Sequence, residues 1–169
     1  MKNISFFIIL FSIFCQSQNN YTSAELIEKS ELQYKNQLEN SIVKNIQFVN
    51  IGPSVMSGRV TDIEVNPKNS TEFYVAYASG GLWHTINNGT TFEPIMDNSI
   101  TQNIGDFAID WESKTIFVGT GESNSSRSSY PGIGVIKSTD NGKTWQNVGL
   151  RDSHHTVSYT HLRAHETNQ

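Results

Sequence analysis

From Phe48 onward, short runs of Val, Ile, Phe and Tyr alternate with clusters of Gly, Asn, Pro and Ser. Apolar runs of this length, bounded by turn-forming residues, are typical of β-strands. The pattern predicts strands at 60–66, 72–78, 81–85, 91–96, 104–110, 115–120, 133–138 and 144–149. We therefore expect an all-β fold over residues 48–155.

The predicted strands form two similar sets of four. The first three strands of one set match those of the other in order, in the pairs 60–66 with 104–110, 73–76 with 116–119, and 81–85 with 134–138. The offset rises from 44 and 43 residues to 53 in the third pair, because the second copy carries an insertion from Glu122 to Gly132. Four short strands in about 45 residues are the size of one blade of a β-propeller.

A turn motif recurs between the third and fourth strands of each set. The second copy fits the pattern S-x-D-x-G-x-T-W, through Ser138, Asp140, Gly142, Thr144 and Trp145. The first copy is a softened form of it, carried by Thr85, Asn87, Gly89, Thr91 and Phe92. Glycine adopts a positive φ at low steric cost, and an Asp or Asn side chain can hydrogen-bond to its own turn. We interpret these ten residues as structural.

The motif resembles the Asp-box, or BNR repeat, of bacterial β-propellers. The chain from about Phe48 to His155 is similar to the sortilin-type propellers of secreted bacterial proteins, which are often labelled as glycosyl hydrolases. Besides the Asp-box, the similarity is carried by 51–53, 58–62, 78–83 and 119–122. The resemblance implies a β-propeller of four-stranded antiparallel blades, incomplete here with about two blades present. In that reading the chain is an N-terminal fragment.

The first residues predict export. Lys2 precedes an apolar stretch from Ile4 to Phe14, and small residues at Cys15 and Ser17 favour cleavage before Gln18. Residues 1–17 are therefore interpreted as a signal peptide whose apolar part is too short to span a bilayer. A lipoprotein anchor at Cys15 is disfavoured because the bulky Phe14 precedes it. We expect a protein that is secreted or on the cell surface, without a membrane span and, after cleavage, without a thiol for a disulfide.

Residues 18–47 read as a leader that is partly helical. Thr22 and Glu25 have the spacing of a capping box, and apolar residues follow at roughly helical intervals as far as Leu38. Nothing in this segment indicates chemistry.

Residues 156–169 resemble a translated sequencing adapter, and we interpret them as a non-native, disordered tail. His161 and His165 within it have the spacing of zinc ligands on a helix, but no third ligand accompanies them in a known motif. No metal site is predicted.

Charge excludes two classes of partner. With 12 basic and 16 acidic residues, the formal net charge of −4 provides no basic surface for nucleic acid or for an anionic membrane. Gly119-Thr120-Gly121 is not a phosphate-binding loop, since neither a Lys nor a predicted helix follows it. We expect no cofactor.

Candidate ligand-binding residues lie in loops at one end of the predicted strands. The loop between strands two and three of a blade opens on the rim opposite the Asp-box turn. In the second copy this loop contains an acid, an amide, a guanidinium and an aromatic ring, namely Glu122, Asn124, Arg127 and Tyr130. Such a set can bind a sugar or a peptide, and loops on rigid scaffolds are where function concentrates. The alternative is a solvated Ser-rich loop.

Three further candidates lie close to the start of a first strand, two in the first copy and one in the second. Asp62 and Asp106 are equivalent residues, and both should point away from the apolar face of their strands because side chains alternate between faces. Arg59 precedes the first strand. Each of the three is either a ligand contact or a tie between blades.

Two classes of function remain. The first is a scaffold that binds a carbohydrate or protein ligand. The alternative is a glycoside hydrolase of xyloglucanase or sialidase type, which needs two carboxylates about 5–10 Å apart. No pattern pairs the available carboxylates, and the early F-R-I-P segment of sialidases is absent. The sequence therefore favours binding, and we expect no activity from this fragment alone.

Overall fold

The computed structural model describes residues 22–46, 58–122 and 129–156. These ranges form a helix, α1 (Ala24–Glu39), and eight strands: β1 (Val60–Val65), β2 (Phe73–Tyr77), β3 (Gly81–Thr85), β4 (Glu93–Pro94), β5 (Ile104–Asp110), β6 (Thr115–Thr120), β7 (Val135–Ser138) and β8 (Gln146–Gly149). Strands β1–β4 form one antiparallel sheet and β5–β8 another, each in sequential order. We call them sheet 1 and sheet 2. The prediction of an all-β fold is confirmed in this form, with little helix.

Some strands are shorter than predicted because their backbone groups bond elsewhere. Strand β4 was expected over 91–96 but comprises two residues. The N–H of Thr91 is used by the preceding turn, where it donates to Asn87, and Pro94 has no N–H to donate. Strand β7 begins at Val135 rather than at residue 133, because the N–H of Ile133 donates to the Thr120 hydroxyl at 2.7 Å.

Helix α1 begins one residue later than the capping-box spacing predicted. Its N-cap is Ser23, whose hydroxyl accepts from the N–H of Leu26, rather than Thr22. The helix is joined to the strand region by a bidentate ion pair from Arg151 to Glu31, with distances of 2.8 and 3.1 Å. No residue of α1 is buried. The helix therefore adds little to the hydrophobic core.

The two sheets repeat each other in strand register. Asp62 pairs with Ala76 in sheet 1, and Asp106 pairs with Gly119 in sheet 2. In both sheets the register shifts just before this pair, so that one extra residue bulges from the first strand. The bulged residues, Thr61 and Gly105, are 44 positions apart, as in the sequence repeat.

The hydrophobic core lies between the sheets. Residues that pair across strands share a face, so each sheet has two faces. The first face carries Ile63, Val75 and Trp83 in sheet 1, and Phe107, Val118 and Ile136 in sheet 2. The second face carries Tyr74, Ala76 and Leu82 in sheet 1, and Phe117, Gly119 and Val135 in sheet 2. The second face of sheet 1 packs on the first face of sheet 2 to make the core.

Polar contacts orient this junction. The buried Tyr74 of sheet 1 donates its hydroxyl to Asn141 Oδ1 in a turn of sheet 2, at 2.5 Å. The indole N–H of Trp145 in sheet 2 donates to the carbonyl of Ile95, which follows β4, at 3.1 Å. Apolar burial is not directional, whereas these two bonds are. They fix how sheet 2 is rotated on sheet 1.

A cluster of charged groups lies beside the core at the same junction. Glu72 Oε1 accepts from Lys114 Nζ at 2.7 Å and lies 3.2 Å from His84 Nε2, while its Oε2 accepts from Asn66 at 2.6 Å. Burial alone would raise the pKa of Glu72, but the hydrogen bonds from Lys114 and Asn66 hold that pKa below its usual value. The His84 ring stacks on Tyr74 with centroids 4.1 Å apart.

Replacing Tyr74 tests the junction. We expect Tyr74→Phe to lower the free energy of unfolding by about 1 kcal/mol, because Asn141 loses its donor while the ring still fills the core. Urea denaturation followed by tryptophan fluorescence measures the change. Tyr34→Phe in α1, where the tyrosine is 56% exposed, is the matched control and should change nothing. Equal stabilities for the Tyr74 variant and the unmodified chain would contradict the role of this bond.

Candidate functional site

The rim opposite the Asp-box turns brings together three of the residues predicted to bind ligand. Strand β7 runs from the insertion at its start to the Asp-box turn at its end, so the two loops lie at opposite ends of the sheet. Arg59 precedes β1, whose start pairs with the end of β2, on the same side as the insertion. Arg59, Glu122 and Tyr130 therefore share one rim.

Glu122 is the centre of this group. The residue is almost fully buried at 1% exposure, and its carboxylate forms an ion pair with the guanidinium of Arg59. Its backbone N–H donates to the carbonyl of Tyr130 at 3.0 Å, which closes the insertion into a bridge. Burying a carboxylate is costly without a counter-charge, so Arg59 stabilises Glu122 where it lies. The pair also links the entry to sheet 1 with the end of β6 in sheet 2.

Two groups on this rim remain accessible. The Arg59 side chain is 41% exposed although it is paired, and Tyr130 is 40% exposed. A guanidinium held on one side by a carboxylate keeps donors on its other side. Asn124 and Arg127, the other predicted members of the set, lie outside the described residues.

Asp62 and Asp106 belong to a different surface. Both lie on the second faces of their sheets, paired with Ala76 and Gly119, whereas Glu122 lies beyond the end of β6. Asp62 Oδ1 accepts from the N–H of Ile63 at 2.8 Å. Asp106 lines a groove of about 250 Å³ on sheet 2 together with Phe117 and Val135. Asp62 and Asp106 thus lie on strand faces, whereas Glu122 lies in the loop beyond β6.

The Asp-box of sheet 2 is a closed hydrogen-bond network. Ser138 Oγ accepts from the N–H of Gly142 at 2.9 Å and donates to Asp140 Oδ1 at 2.8 Å. Asp140 in turn accepts from the N–H of Thr144 at 2.9 Å and from its hydroxyl at 2.6 Å. Asn141 and Gly142 adopt φ values of 60° and 84°, which close the turn. Both carboxylate oxygens of Asp140 are occupied within the turn.

The Asp-box of sheet 1 makes the same bonds with different residues. Thr85 Oγ1 accepts from the N–H of Gly89 at 3.0 Å. Asn87 accepts from the N–H of Thr91 through Oδ1 and donates to its hydroxyl through Nδ2, both at 2.9 Å. Asn88 and Gly89 have φ values of 56° and 79°. Asn therefore replaces Asp without loss of any bond in the network.

The charged form of Asp140 is strongly favoured. The hydroxyl of Thr144 donates to the carboxylate, with further bonds from the Thr144 N–H and from Ser138, and together they lower the pKa of Asp140 from 3.8 to about 2. A carboxyl group with so low a pKa stays ionised near neutral pH and makes a poor general acid.

A segment that follows β8 packs at the end of sheet 2. His154 O accepts from the N–H of Gly132 at 2.7 Å, and the N–H of Thr156 donates to Gly121 O at 3.2 Å. After sheet 1, Gln102 O accepts from the N–H of Gly81 at 3.0 Å, and the N–H of Ile104 donates to Ala78 O at 3.2 Å.

The chain thus leaves both sheets in the same way. By position, Thr156 corresponds to Ile104, the first residue of β5, although the two side chains have little in common. The prediction placed Thr156 in the non-native tail; residues 157–169 lie outside the described part of the chain.

In the described ranges, no group of three His, Cys, Asp or Glu residues is placed to hold a metal ion. Within the same ranges, no helix is long and apolar enough to cross a membrane. No model of a known protein family matches the chain, and a search of curated proteins finds no significantly similar sequence.

The two Asp-boxes together generate a prediction on pH. Because the folded pKa of Asp140 is depressed, its ionisation stabilises the fold above about pH 4, and this stabilisation is lost as the pH falls towards 2. We expect Asp140→Asn to fold normally at neutral pH, since Asn87 makes the same bonds in sheet 1. Its melting temperature should fall less between pH 4 and pH 2 than that of the unmodified chain.

Thermal denaturation followed by circular dichroism over this pH range measures both effects. Asp152→Asn, outside the Asp-box, is the control and should follow the unmodified chain. An Asp140→Asn variant that is unfolded at neutral pH would show that the charge itself is required by the turn.

Proposed function

We propose that this chain is part of an Asp-box β-propeller, secreted or on the cell surface, that binds a ligand at the rim opposite its Asp-box turns. The observation that carries the proposal is the meeting of Arg59, Glu122 and Tyr130 on that rim. The signal peptide predicted at residues 1–17 supports export.

The repeated sheets support the propeller. The sheets have the same strand order, the same bulge in the first strand and the same hydrogen bonds in the Asp-box. The chain leaves each of them through the same pair of backbone bonds. When the chain leaves two successive sheets through equivalent backbone bonds, a further sheet would follow in the same direction. Blades follow one another in this way in a propeller. The two sheets are then two blades.

The exposed chemistry of the rim favours an acidic carbohydrate as the ligand. A guanidinium presents paired donors that match a carboxylate, and here Glu122 holds Arg59 in place before any ligand arrives. The exposed ring of Tyr130 provides a flat apolar surface beside a polar tip, which suits a sugar ring. A protein ligand with an acidic side chain is the second candidate, since it offers the same carboxylate to Arg59.

The same geometry argues against the glycoside hydrolase alternative for the described residues. Glu122 is buried and paired with Arg59, so it has no open side from which to reach a glycosidic bond. Asp140 uses both oxygens within its turn. A pair of accessible carboxylates across a cleft is what that chemistry needs.

Binding to defined sugars tests the proposal. We expect the full chain to bind an oligomer of galacturonic acid and to bind a neutral cello-oligosaccharide of equal length more weakly, as measured by isothermal titration calorimetry. Arg59→Lys keeps the charge near Glu122 but removes the paired donors, and it should weaken binding of the acidic oligomer about tenfold.

Two variants complete the test. Tyr130→Ala should also weaken binding, whereas Lys143→Ala, in the Asp-box turn at the opposite end, should leave it unchanged. Equal affinity for the acidic and neutral oligomers, or for Arg59→Lys and the unmodified chain, would contradict the proposed site. Binding to an acidic peptide but to neither sugar would favour the protein ligand.

A further inference from the structure

Two nitrogen atoms from different sheets meet one oxygen of Glu72. Its Oε1 accepts from Lys114 Nζ at 2.7 Å and lies 3.2 Å from His84 Nε2. Glu72 and His84 belong to sheet 1, since Glu72 directly precedes β2 and His84 lies in β3. Lys114 lies in the turn between β5 and β6 of sheet 2. The bond to Lys114 therefore ties the sheets together, whereas the contact with His84 stays within sheet 1.

The neutral imidazole of His84 has one proton to give to this contact. A carboxylate only accepts hydrogen bonds, and the lowered pKa of Glu72 keeps it ionised at neutral pH. Nε2 must therefore carry the proton of the neutral ring, which leaves Nδ1 as the nitrogen that takes up a second proton in acid. Until then, Lys114 is the cation that balances the charge of Glu72.

Lys114 can leave this contact more easily than His84 can. Its φ of 55° lies in the left-handed region, which is rare for a residue with a side chain. Its Nζ lies 4.9 Å from the centroid of the Trp111 ring. The Lys114 side chain is 37% exposed, whereas that of His84 is 10% exposed and stacks on Tyr74. Water is therefore within reach of the ammonium group but not of the stacked imidazole.

We propose that uptake of a proton by His84 displaces Lys114 from Glu72 and so loosens the junction between the sheets in mild acid. Two cations then compete for one oxygen, and the covered histidine is the one that stays. Acid thus exchanges an ion pair between the sheets for one within sheet 1. This inference concerns the junction and does not depend on the ligand proposed above.

The groups around His84 set the direction of the pH effect. Burial lowers the pKa of His84 from its ordinary value of 6.5, against the hydrogen bond and the charge of Glu72, which raise it. Lys114 lowers this pKa further, and Glu93, which pairs with His84 across β3 and β4, raises it. Tyr74 stays neutral, since burial raises its pKa. The unfolded chain thus binds the proton more readily, so stability is full above about pH 6.5 and falls as the pH drops below it.

The carboxylates of the structure lose their stabilising charge in a lower range. The folded pKa of Glu72 lies below 4.5, so the stability due to its ionisation is lost only as the pH falls towards that lower pKa. The contribution of Asp140 is lost closer to pH 2. Measurements between about pH 7.5 and pH 5.5 therefore follow the proton on His84 rather than those on these two carboxylates.

Thermal denaturation followed by circular dichroism at pH 7.5 and pH 5.5 tests the role of the proton. The melting temperature of the full chain should be about 4 °C lower at pH 5.5. His84→Phe keeps a stacked ring but takes up no proton, so it should melt at the same temperature at both pH values. His84→Gln is a second variant without a titrating ring and should behave likewise. His155→Gln removes an exposed histidine and should follow the unmodified chain.

A double-mutant cycle at both pH values tests the displacement itself. Urea denaturation of Glu72→Gln, Lys114→Met and the double variant gives the coupling between the two side chains. We expect this coupling at pH 7.5 and its loss at pH 5.5, whereas it should persist at pH 5.5 in the His84→Phe background. The exposed pair of Lys68 with Glu112, also between the sheets and 3.0 Å apart, is the matched control. Its coupling should be the same at both pH values.

Three results would overturn the proposal. The first is an unmodified chain that melts at the same temperature at pH 7.5 and pH 5.5. The second is a fall in melting temperature that is as large in both His84 variants, which would place the acid effect elsewhere. The third is coupling between Glu72 and Lys114 that survives at pH 5.5 in the unmodified background, because Lys114 would then keep its place.

Discussion

Burial of one sheet's first face on the preceding sheet's second face is the constraint on which the structure depends. A four-stranded sheet of this size has apolar side chains on both sides, and neither side can be left in water without cost. The core therefore does not lie within a sheet but between sheets, at the meeting of Ala76 and Leu82 with Phe107 and Val118. Each sheet is consequently stabilised in part by its contact with the neighbouring sheet.

Directional contacts then select one docking geometry from those that burial alone permits. Tyr74 to Asn141 joins the middle of sheet 1 to the Asp-box turn of sheet 2. The turn can serve as a fixed acceptor because Ser138 and Asp140 close it with internal bonds. The internal bonds of the Asp-box thus contribute to docking, because they hold the acceptor of the Tyr74 hydroxyl in place. Both carboxylate oxygens of Asp140 are already used inside the box, which favours a structural role for this residue over a catalytic one.

Structural features that depend only on residues close together in the chain could be predicted from local sequence patterns. Strand existence, the offsets of the repeat and the position of both turns follow from apolar alternation and from the glycines at 89 and 142. Strand ends were less predictable, because a hydroxyl such as that of Thr120 can take an N–H that would otherwise extend a strand. The helix cap at Ser23 in place of Thr22 is a similar competition between adjacent hydroxyls.

Contacts between distant residues could not be predicted in the same way. The Glu72, His84 and Lys114 cluster joins three strand ends from both copies, and no spacing in the sequence marks it. Arg59 and Glu122 were each singled out, but their pairing across 63 positions became visible only once the bulged register had placed both on one rim. Asp62 and Asp106 were singled out for their equivalent positions at the start of the first strand of each copy, and their pairing with Ala76 and Gly119 places them on the second faces.

The insertion shows that one end of this fold is free to vary in length. Ala76 pairs with Leu82 six positions later, whereas the equivalent Gly119 pairs with Val135 sixteen positions later, in the same register. Ten additional residues thus enter the connection without shifting a strand, since the bridge from Glu122 to Tyr130 draws the ends of the loop together. The Asp-box turn has the same length in both copies, and the connection from β1 to β2 at the same end differs from that between β5 and β6 by one residue. The end that carries the connection from β2 to β3 therefore tolerates longer loops than the Asp-box turn does. Foreign peptide segments are best grafted at this end, between residues 78 and 81.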